Sequence, residues 1–293
     1  MAAKKNVLVQ IDCDPQPSVF DAIIALDAGV DQLLQYGDVR LEQVETLVHG
    51  AIFTRSPDQL KSTALFFGGS DVETAEALVA RAKQSFVGPM KVSLMSDPNG
   101  SNTTAAAAVI CASRHVTFDQ NMVTILGGTG PVGQRIAAVI SSTSTASRIQ
   151  IASRQLQRAE SICERLSASS ASSTATFVPV ATPDVETAGQ VISGSAAVFS
   201  ALAPGVVGLS AGWQNAGVKV AIDLNAVPPA GIAGIEMSDF GTSRSDSVCY
   251  GAIGVGGLKT KIHRRCIATL FESNEHILET DSIYQIGKQI ESA

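Results

Sequence analysis

Met122-Val123-Thr124-Ile125-Leu126, followed one residue later by Gly128-Thr129-Gly130-Pro131-Val132-Gly133, is the most informative stretch of the 293-residue chain. Five apolar or β-branched residues predict a buried strand, and the residues from Pro131 to about Ile140 predict a helix. A bare G-x-G-x-x-G pattern is weak, but here it sits where a strand must turn into a helix. In that setting the first glycine permits the tight turn and the second lets backbone approach a pyrophosphate. The third lets helix and strand pack closely, and the helix N-terminus offers N–H donors to the anion. Gly128, Thr129, Gly130, Pro131, Val132 and Gly133 are therefore the expected dinucleotide-binding turn.

The end of the next strand bears on which dinucleotide binds. Asp or Glu there would bind a ribose 2′-hydroxyl, whereas Arg accommodates a 2′-phosphate. Ile149-Gln150-Ile151-Ala152 runs into Ser153-Arg154, with Arg158 one helical turn on and no carboxylate between Asp119 and Glu160. Ser153, Arg154 and Arg158 point to NADP, since guanidinium binds phosphate bidentately; a solvated arginine capping a loop is the alternative. Asp223 ends a further strand at 218–222 and precedes Asn225. It is either a loop-fixing group or a site residue beyond a strand end.

Around this segment, short apolar runs alternate with helical patterns, as in an α/β fold. Strands are expected at 6–11, 65–67, 92–95, 148–152, 177–180 and 197–199. Ser18 opens a helix whose Val19, Ile23, Leu26 and Val30 fall at helical spacing. Ser70-x-x-Glu73 reads as a capping box opening a helix to about Phe86, and an alanine-rich helix runs from Thr103 to His115. Serines clustered between 141 and 173 read as solvated loops. The glycine-rich segment 251–257 reads either as close backbone approach to a flat ring or as loop flexibility. Two helices, at 257–271 and 281–290, close the chain and return to the first domain, whose boundary lies near 118.

Composition excludes several classes. Lys and Arg number 21 and Asp and Glu 27, for a net charge of −6 and only 16% charged residues. No basic excess exists to neutralise a nucleic-acid backbone, and a chain with 45% hydrophobic residues is not disordered. The uncharged stretch 187–218 is interrupted by Gly, Ser, Pro204 and Gln214, so it predicts no membrane span. Five widely spaced cysteines with no Cys-x-x-Cys read as small buried hydrophobes of a cytoplasmic protein. The four histidines are too scattered for zinc, and no metal is expected. Tyr284-x-x-x-Lys288 matches the short-chain dehydrogenase pair but lies nine residues from the end, where it reads as one face of a terminal helix. No G-x-S-x-G elbow occurs.

Longer motifs carry a family resemblance. Asp12-Cys13-Asp14-Pro15-Gln16-Pro17-Ser18-Val19-Phe20-Asp21, Asn99-Gly100-Ser101-Asn102-Thr103-Thr104-Ala105, the 128–133 turn, Asp223-x-Asn225-Ala226-x-Pro228-Pro229-x-Gly231-Ile232 and Gly254-Val255-Gly256-Gly257-Leu258-Lys259 together resemble the NADP-dependent methylene-tetrahydromethanopterin dehydrogenases of C1-metabolising bacteria. The resemblance spans nearly the whole chain. It implies an N-terminal α/β pterin domain (1–118, completed by helices at about 266–293) and a Rossmann-type parallel-sheet NADP domain (119–265), with the site in the cleft between them. It further implies a homo-oligomer, trimer or hexamer, acting on tetrahydromethanopterin or tetrahydrofolate C1 derivatives. Low surface charge agrees with a sizeable apolar interface between subunits.

The implied reaction oxidises the N5,N10-methylene bridge to the methenyl form. Flanking nitrogen lone pairs stabilise the amidinium product, so hydride leaves without a general base, and positioning plus electrostatics supply the catalysis. On these motifs Lys259, which orients the pterin, and Asp21 are the catalytic candidates; Asp21 could equally be a first-turn helix acid. Asp14, Asn99, Ser101, Asn102 and Thr103 are the substrate-binding candidates, the last four alternatively a helix cap. Asp223 and Asn225 join the cofactor set. A methylene-tetrahydrofolate dehydrogenase–cyclohydrolase would need an N-terminal Tyr-x-x-x-Lys, but Tyr36 is followed four residues later by Arg40. A non-catalytic NADP sensor is the remaining alternative, disfavoured by the dense motif set of the first domain.

Overall fold

The computed structural model describes residues 4–145, 147–170 and 173–292. In chain order the elements are β1 (Val7–Asp12), α1 (Val19–Asp27), β2 (Gln32–Tyr36), α2 (Leu41–Ile52), β3 (Thr63–Gly68), α3 (Val72–Gln84), β4 (Ser93–Ser96) and α4 (Ser101–Ser113). There follow β5 (Met122–Leu126), α5 (Pro131–Thr143), β6 (Arg148–Ser153), α6 (Leu156–Ser169), β7 (Thr176–Ala181), α7 (Val185–Val191), β8 (Ala197–Ser200) and β9 (Val220–Asp223). A hairpin, β10 (Phe240–Arg244) and β11 (Ser247–Tyr250), leads into α8 (Ala252–Thr269), β12 (Ile277–Leu278) and α9 (Thr280–Ser292).

Two compact α/β units result: Met1–Thr103 with Thr260–Ala293, and Thr104–Lys259. Both boundaries fall inside helices, α4 and α8. The first unit carries a five-stranded parallel sheet ordered β12-β4-β3-β1-β2. Its core joins Ile11, Leu65, Phe67 and Leu94 to Val44, Val48, Leu78 and Val79 from the covering helices. Each such side chain, fully buried, contributes about 1.5–3 kcal/mol. The second unit's seven strands run β10-β11-β9-β8-β5-β6-β7, parallel except for the hairpin. From β5 outward the order reverses between β5 and β8, and such switch points open a crevice at the carboxyl ends of strands.

Two local expectations fail for identifiable reasons. The spacing of Val19, Ile23, Leu26 and Val30 implies a buried face; Val30, just past the helix, is buried, but the other three are 72%, 54% and 56% exposed, and within α1 Ile24 and Ala25 are the buried pair. α1 carries apolar residues on two sides, and Ile24 and Ala25 mark the buried one. The α3 cap is Asp71 rather than Ser70: its carboxylate accepts the Thr74 N–H at 3.2 Å and the Thr74 hydroxyl at 2.8 Å.

The serines around 141–173 largely extend helix ends. Ser142 and Ser144 donate to carbonyls at Val139 and Ile140 in α5, and Ser167 and Ser169 to Cys163 and Leu166 in α6. Ser172 lies outside the described residues. Among the described residues no helix is long and apolar enough to cross a membrane.

Candidate dinucleotide site and pterin-motif residues

The β5–α5 turn is built almost wholly by its own backbone. Gly127, one residue ahead of the quoted motif, takes the left-handed conformation (φ +68°) that makes the turn possible. Its carbonyl accepts the Gly130 N–H at 3.0 Å, and the Gly128 N–H donates to Ala152 in β6 at 3.1 Å. A Cβ on Gly128 would lie 2.9 Å from the Ile125 carbonyl oxygen, and one on Gly133 would lie 2.7 Å from both Gly127 O and Gly128 Cα. These two glycines serve helix-to-turn packing. Gly130 differs, with its nearest neighbour at 3.4 Å; it is the N-cap of α5 and supplies no side chain, with Pro131 at the first helical position. Gln134 donates to the Thr129 carbonyl at 2.7 Å and fixes the turn from within the helix.

Beyond this turn lies a cavity of about 560 Å³. Thr129 and Gly130 form one wall, Ser153, Arg154 and Arg158 another, and Thr182 with Asp184 a third. Ala201, Leu202 and Val206 give it an apolar side. Arg154 and Arg158 are exposed and have no ion-pair partner among the described residues. Asp184 caps α7, and the N–H and hydroxyl of Thr187 hold its carboxyl below the usual range. An open glycine, a helix N-terminus and two exposed guanidinium groups fit a dinucleotide carrying an additional phosphate.

Asp223 and Asn225 do not line this cavity. Asp223 is 2% exposed, and its carboxylate accepts the N–H groups of Asn225 at 3.2 Å and Ile232 at 3.1 Å. Asn225 donates to the Pro229 carbonyl at 3.0 Å and accepts the Val227 N–H at 3.0 Å. Both hold the 223–232 loop, the loop-fixing alternative for Asp223.

The helix-cap alternative describes most of the second motif. Asp97, buried before the short 3-10 turn Pro98–Gly100, accepts the N–H groups of Asn102 (2.8 Å) and Thr103 (3.1 Å) and the Thr103 hydroxyl (2.6 Å). Ser101 donates to the Pro98 carbonyl, Asn102 to the Ser96 carbonyl, and Thr280 donates to Asn102. Ser101, Asn102 and Thr103 are buried and start α4, and the bonds they make here are those of a helix cap. Asn99 is the exposed member, in left-handed conformation, its N–H donating to Gly69 at 2.8 Å.

In the first motif, Asp14 accepts the Ser70 N–H at 2.9 Å and its hydroxyl at 2.8 Å. Buried Asp12 accepts the N–H groups of Asp14 and Ser18. Burial, with some help from Asp14, pushes the Asp12 carboxyl above its ordinary value against the pull of those two N–H groups. Polar atoms of Asp12, Cys13 and Asp14 lie within 4.8 Å of one another, and each of the two carboxylates also accepts two hydrogen bonds from the surrounding chain.

Asp21 stands in the first turn of α1, where Ser18 caps its N–H at 3.2 Å, and its side chain is 13% exposed. Lys259 is half-buried within α8. Gly254, Gly256 and Gly257 lie inside that helix, and Gly251 stands between β11 and its first residue. A Cβ on Gly251 would sit on the Glu236 carbonyl oxygen and one on Gly254 on that of Asp239. Close approach is real there, but the chain's own backbone makes it.

Comparison with known proteins decides the family. Residues 19–99 match the family model for the N-terminal part of methylene-tetrahydromethanopterin dehydrogenase. Over 98% of its length the chain is 36% identical to the "Bifunctional protein MdtA" of Methylorubrum extorquens, covering 99% of that protein. It is also 32% identical over 93% of its length to the NAD(P)-dependent methylenetetrahydromethanopterin dehydrogenase of the same organism, covering 94% of it. This chain belongs to the methylenetetrahydromethanopterin dehydrogenase family.

Beyond that family the α/β fold is shared more widely. Shikimate 5-dehydrogenase from Listeria monocytogenes, solved with shikimate and NAD, aligns at TM-score 0.54 with 13% identity over 96% of both chains. Quinate dehydrogenase from Corynebacterium glutamicum, solved with NAD, aligns at 0.51 with 10% identity over 99% of both. At such identities the likeness is one of fold.

Tyr36 and Arg40 occupy different elements, the end of β2 and the residue capping α2. They do not form a helical-turn pair. Tyr284 is buried within α9.

Proposed function

We propose that this member of the family oxidises N5,N10-methylene-tetrahydromethanopterin to the methenyl form with NADP+. The observation that carries the cofactor half is the pair Arg154 and Arg158, exposed and lining one cavity with Ser153, Thr129 and Gly130. A 2′-phosphate would lie on the two guanidinium groups and the serine hydroxyl, and the pyrophosphate at the N-terminus of α5. When bound, NADP+ supplies the hydride acceptor.

The chain's own share is orientation and charge. Nitrogen lone pairs beside the bridge carbon stabilise the developing cation, so no side chain has to remove a proton. Asp21 places a carboxylate for that cation, and Lys259 orients the pterin through its polar edge. Asp14 and the exposed Asn99 offer further polar contacts. The five cysteines are free thiols, which suits a cytoplasmic enzyme. Exposed Val19, Ile23 and Leu26 support assembly into a homo-oligomer; a monomer mass by light scattering at working concentration would remove that part.

The test is spectrophotometric. Purified protein with NADP+ and methylene-tetrahydromethanopterin should generate NADPH absorbance, and methylene-tetrahydrofolate measures how far pterin choice is relaxed. No reduction with either pterin overturns the reading.

A further inference from the structure

His263 is fully buried in α8, and its Nδ1 lies 3.8 Å from the Asp21 carboxylate. Its ring stacks on Phe66 of β3, with centroids 5.5 Å apart and planes 21° from parallel, and Phe20 of α1 lies 6.2 Å away. All four residues belong to the first unit. We propose that His263 is a positioning residue for Asp21, its ring fixed by Phe66 and Phe20 so that Nδ1 holds the carboxylate in one orientation. This rests on the catalytic role proposed above for Asp21.

An aspartate has two side-chain torsions and, at 13% exposure, little water to orient it. A carboxylate that stabilises a developing cation must be oriented beforehand, since reorganising during the reaction forfeits most of the benefit. The imidazole is held differently: it is fully buried and stacked on Phe66, and that packing sets the plane in which Nδ1 lies. At 3.8 Å the contact is longer than a hydrogen bond and becomes an ion pair when the imidazole is protonated, and in a largely desolvated site such a pair is stronger than in water. The α1–α8 pairing is tied a second time by Arg264 to Asp27 at 3.1 Å, but that ion pair is half exposed and weak. The buried contact is the one that bears on the carboxylate.

A purely structural histidine would be served by its ring, and a positioning one by its Nδ1; three substitutions separate these. His263→Phe keeps a ring against Phe66 and loses the nitrogen. His263→Asn places an amide nitrogen near the Nδ1 position, and His263→Gln moves it one methylene further out. The inference expects His263→Phe and His263→Gln to lower kcat roughly tenfold, within the range over which contacting residues couple, with the pterin KM changed less than about twofold. His263→Asn should retain most of kcat, and Asp21→Asn with His263→Phe should be no slower than Asp21→Asn alone. If the phenylalanine ring does not fold, the Asn and Gln pair carries the test.

His263→Phe as fast as the parent, or Asn and Gln variants of equal kcat, overturns the inference and leaves the role of Asp21 standing. Asp21→Asn as fast as the parent overturns both together.

Discussion

Segments 127–133 and 251–257 each hold four glycines in seven residues, and both lie in the second unit. In the first, the chain leaves β5, turns at Gly127 and starts α5, leaving Gly130 facing an open cavity beside two arginines. In the second, Gly251 and Gly254 press on the backbone at Glu236 and Asp239, while Gly256 and Gly257 meet nothing within 4 Å. Glycine abundance alone therefore does not distinguish ligand approach from self-packing. Both segments follow a strand and lead into a helix, β5 into α5 and β11 into α8. What distinguishes them is what the glycines face: an open cavity at Gly130, and the backbone of Glu236 and Asp239 at Gly251 and Gly254.

The largest break in this comparison should come from Gly254→Ala. The added carbon would collide with the Asp239 carbonyl oxygen, and 2.9 Å away stands the carbonyl carbon of the same residue. Backbone cannot rotate aside as a flexible side chain can. Asp239 is anchored besides, accepting two hydrogen bonds from Arg244 at 2.8 Å; burial raises its carboxyl, but those bonds and the Glu236 N–H hold it below the ordinary range. Overpacking of this kind costs up to about 3 kcal/mol, and here more, so thermal denaturation should show a Tm roughly 10 °C lower. A Tm within a degree or two of the parent would mean the 236–239 segment yields freely.

Arg154→Ala probes the other segment and should act on binding rather than stability. Losing a charge-assisted hydrogen bond to phosphate costs about 1.5–3 kcal/mol, so the KM for NADP+ should rise roughly 10- to 100-fold. The KM for NAD+ should change little, because NAD+ has no 2′-phosphate to lose a partner. Initial-rate kinetics with both cofactors measure this. Equal losses for the two would show that Arg154 serves the shared part of the dinucleotide.

The same contrast explains how far the sequence could be read. The β5-turn-α5 segment and the end of β6 beside it were legible because strand, turn and helix follow one another in the chain, each with its own local signature. Asp97 was not, because the 3-10 turn at Pro98–Gly100 separates it by five and six residues from the N–H groups it caps, beyond ordinary capping spacing. The edge strand β2 escaped since four of its five residues are exposed and show no alternation. The α1 face was misassigned because spacing reveals that a helix has an apolar side but not which of two sides the sheet covers. His263 had no sequence signal: its partners Phe66 and Asp21 are nearly 200 or more residues away in the chain.

Gly257→Ala should have the smallest effect and the opposite sign. Gly257 lies inside α8 with open space around it, so a methyl group meets no obstacle and the unfolded chain loses conformational freedom. Replacing helical glycine by alanine stabilises by about 0.5–1 kcal/mol, which in a chain of this size raises Tm by roughly 1–4 °C. Gly257 stands two residues before Lys259, the residue proposed to orient the pterin, so stability and pterin KM should be read together. A higher Tm with unchanged KM makes the glycine incidental to helix and ligand alike. A higher Tm with a raised pterin KM would mean that the open side receives substrate, and part of the second segment would then share the first one's purpose. A lower Tm would show that the helix needs glycine there for packing, as it does at Gly251 and Gly254.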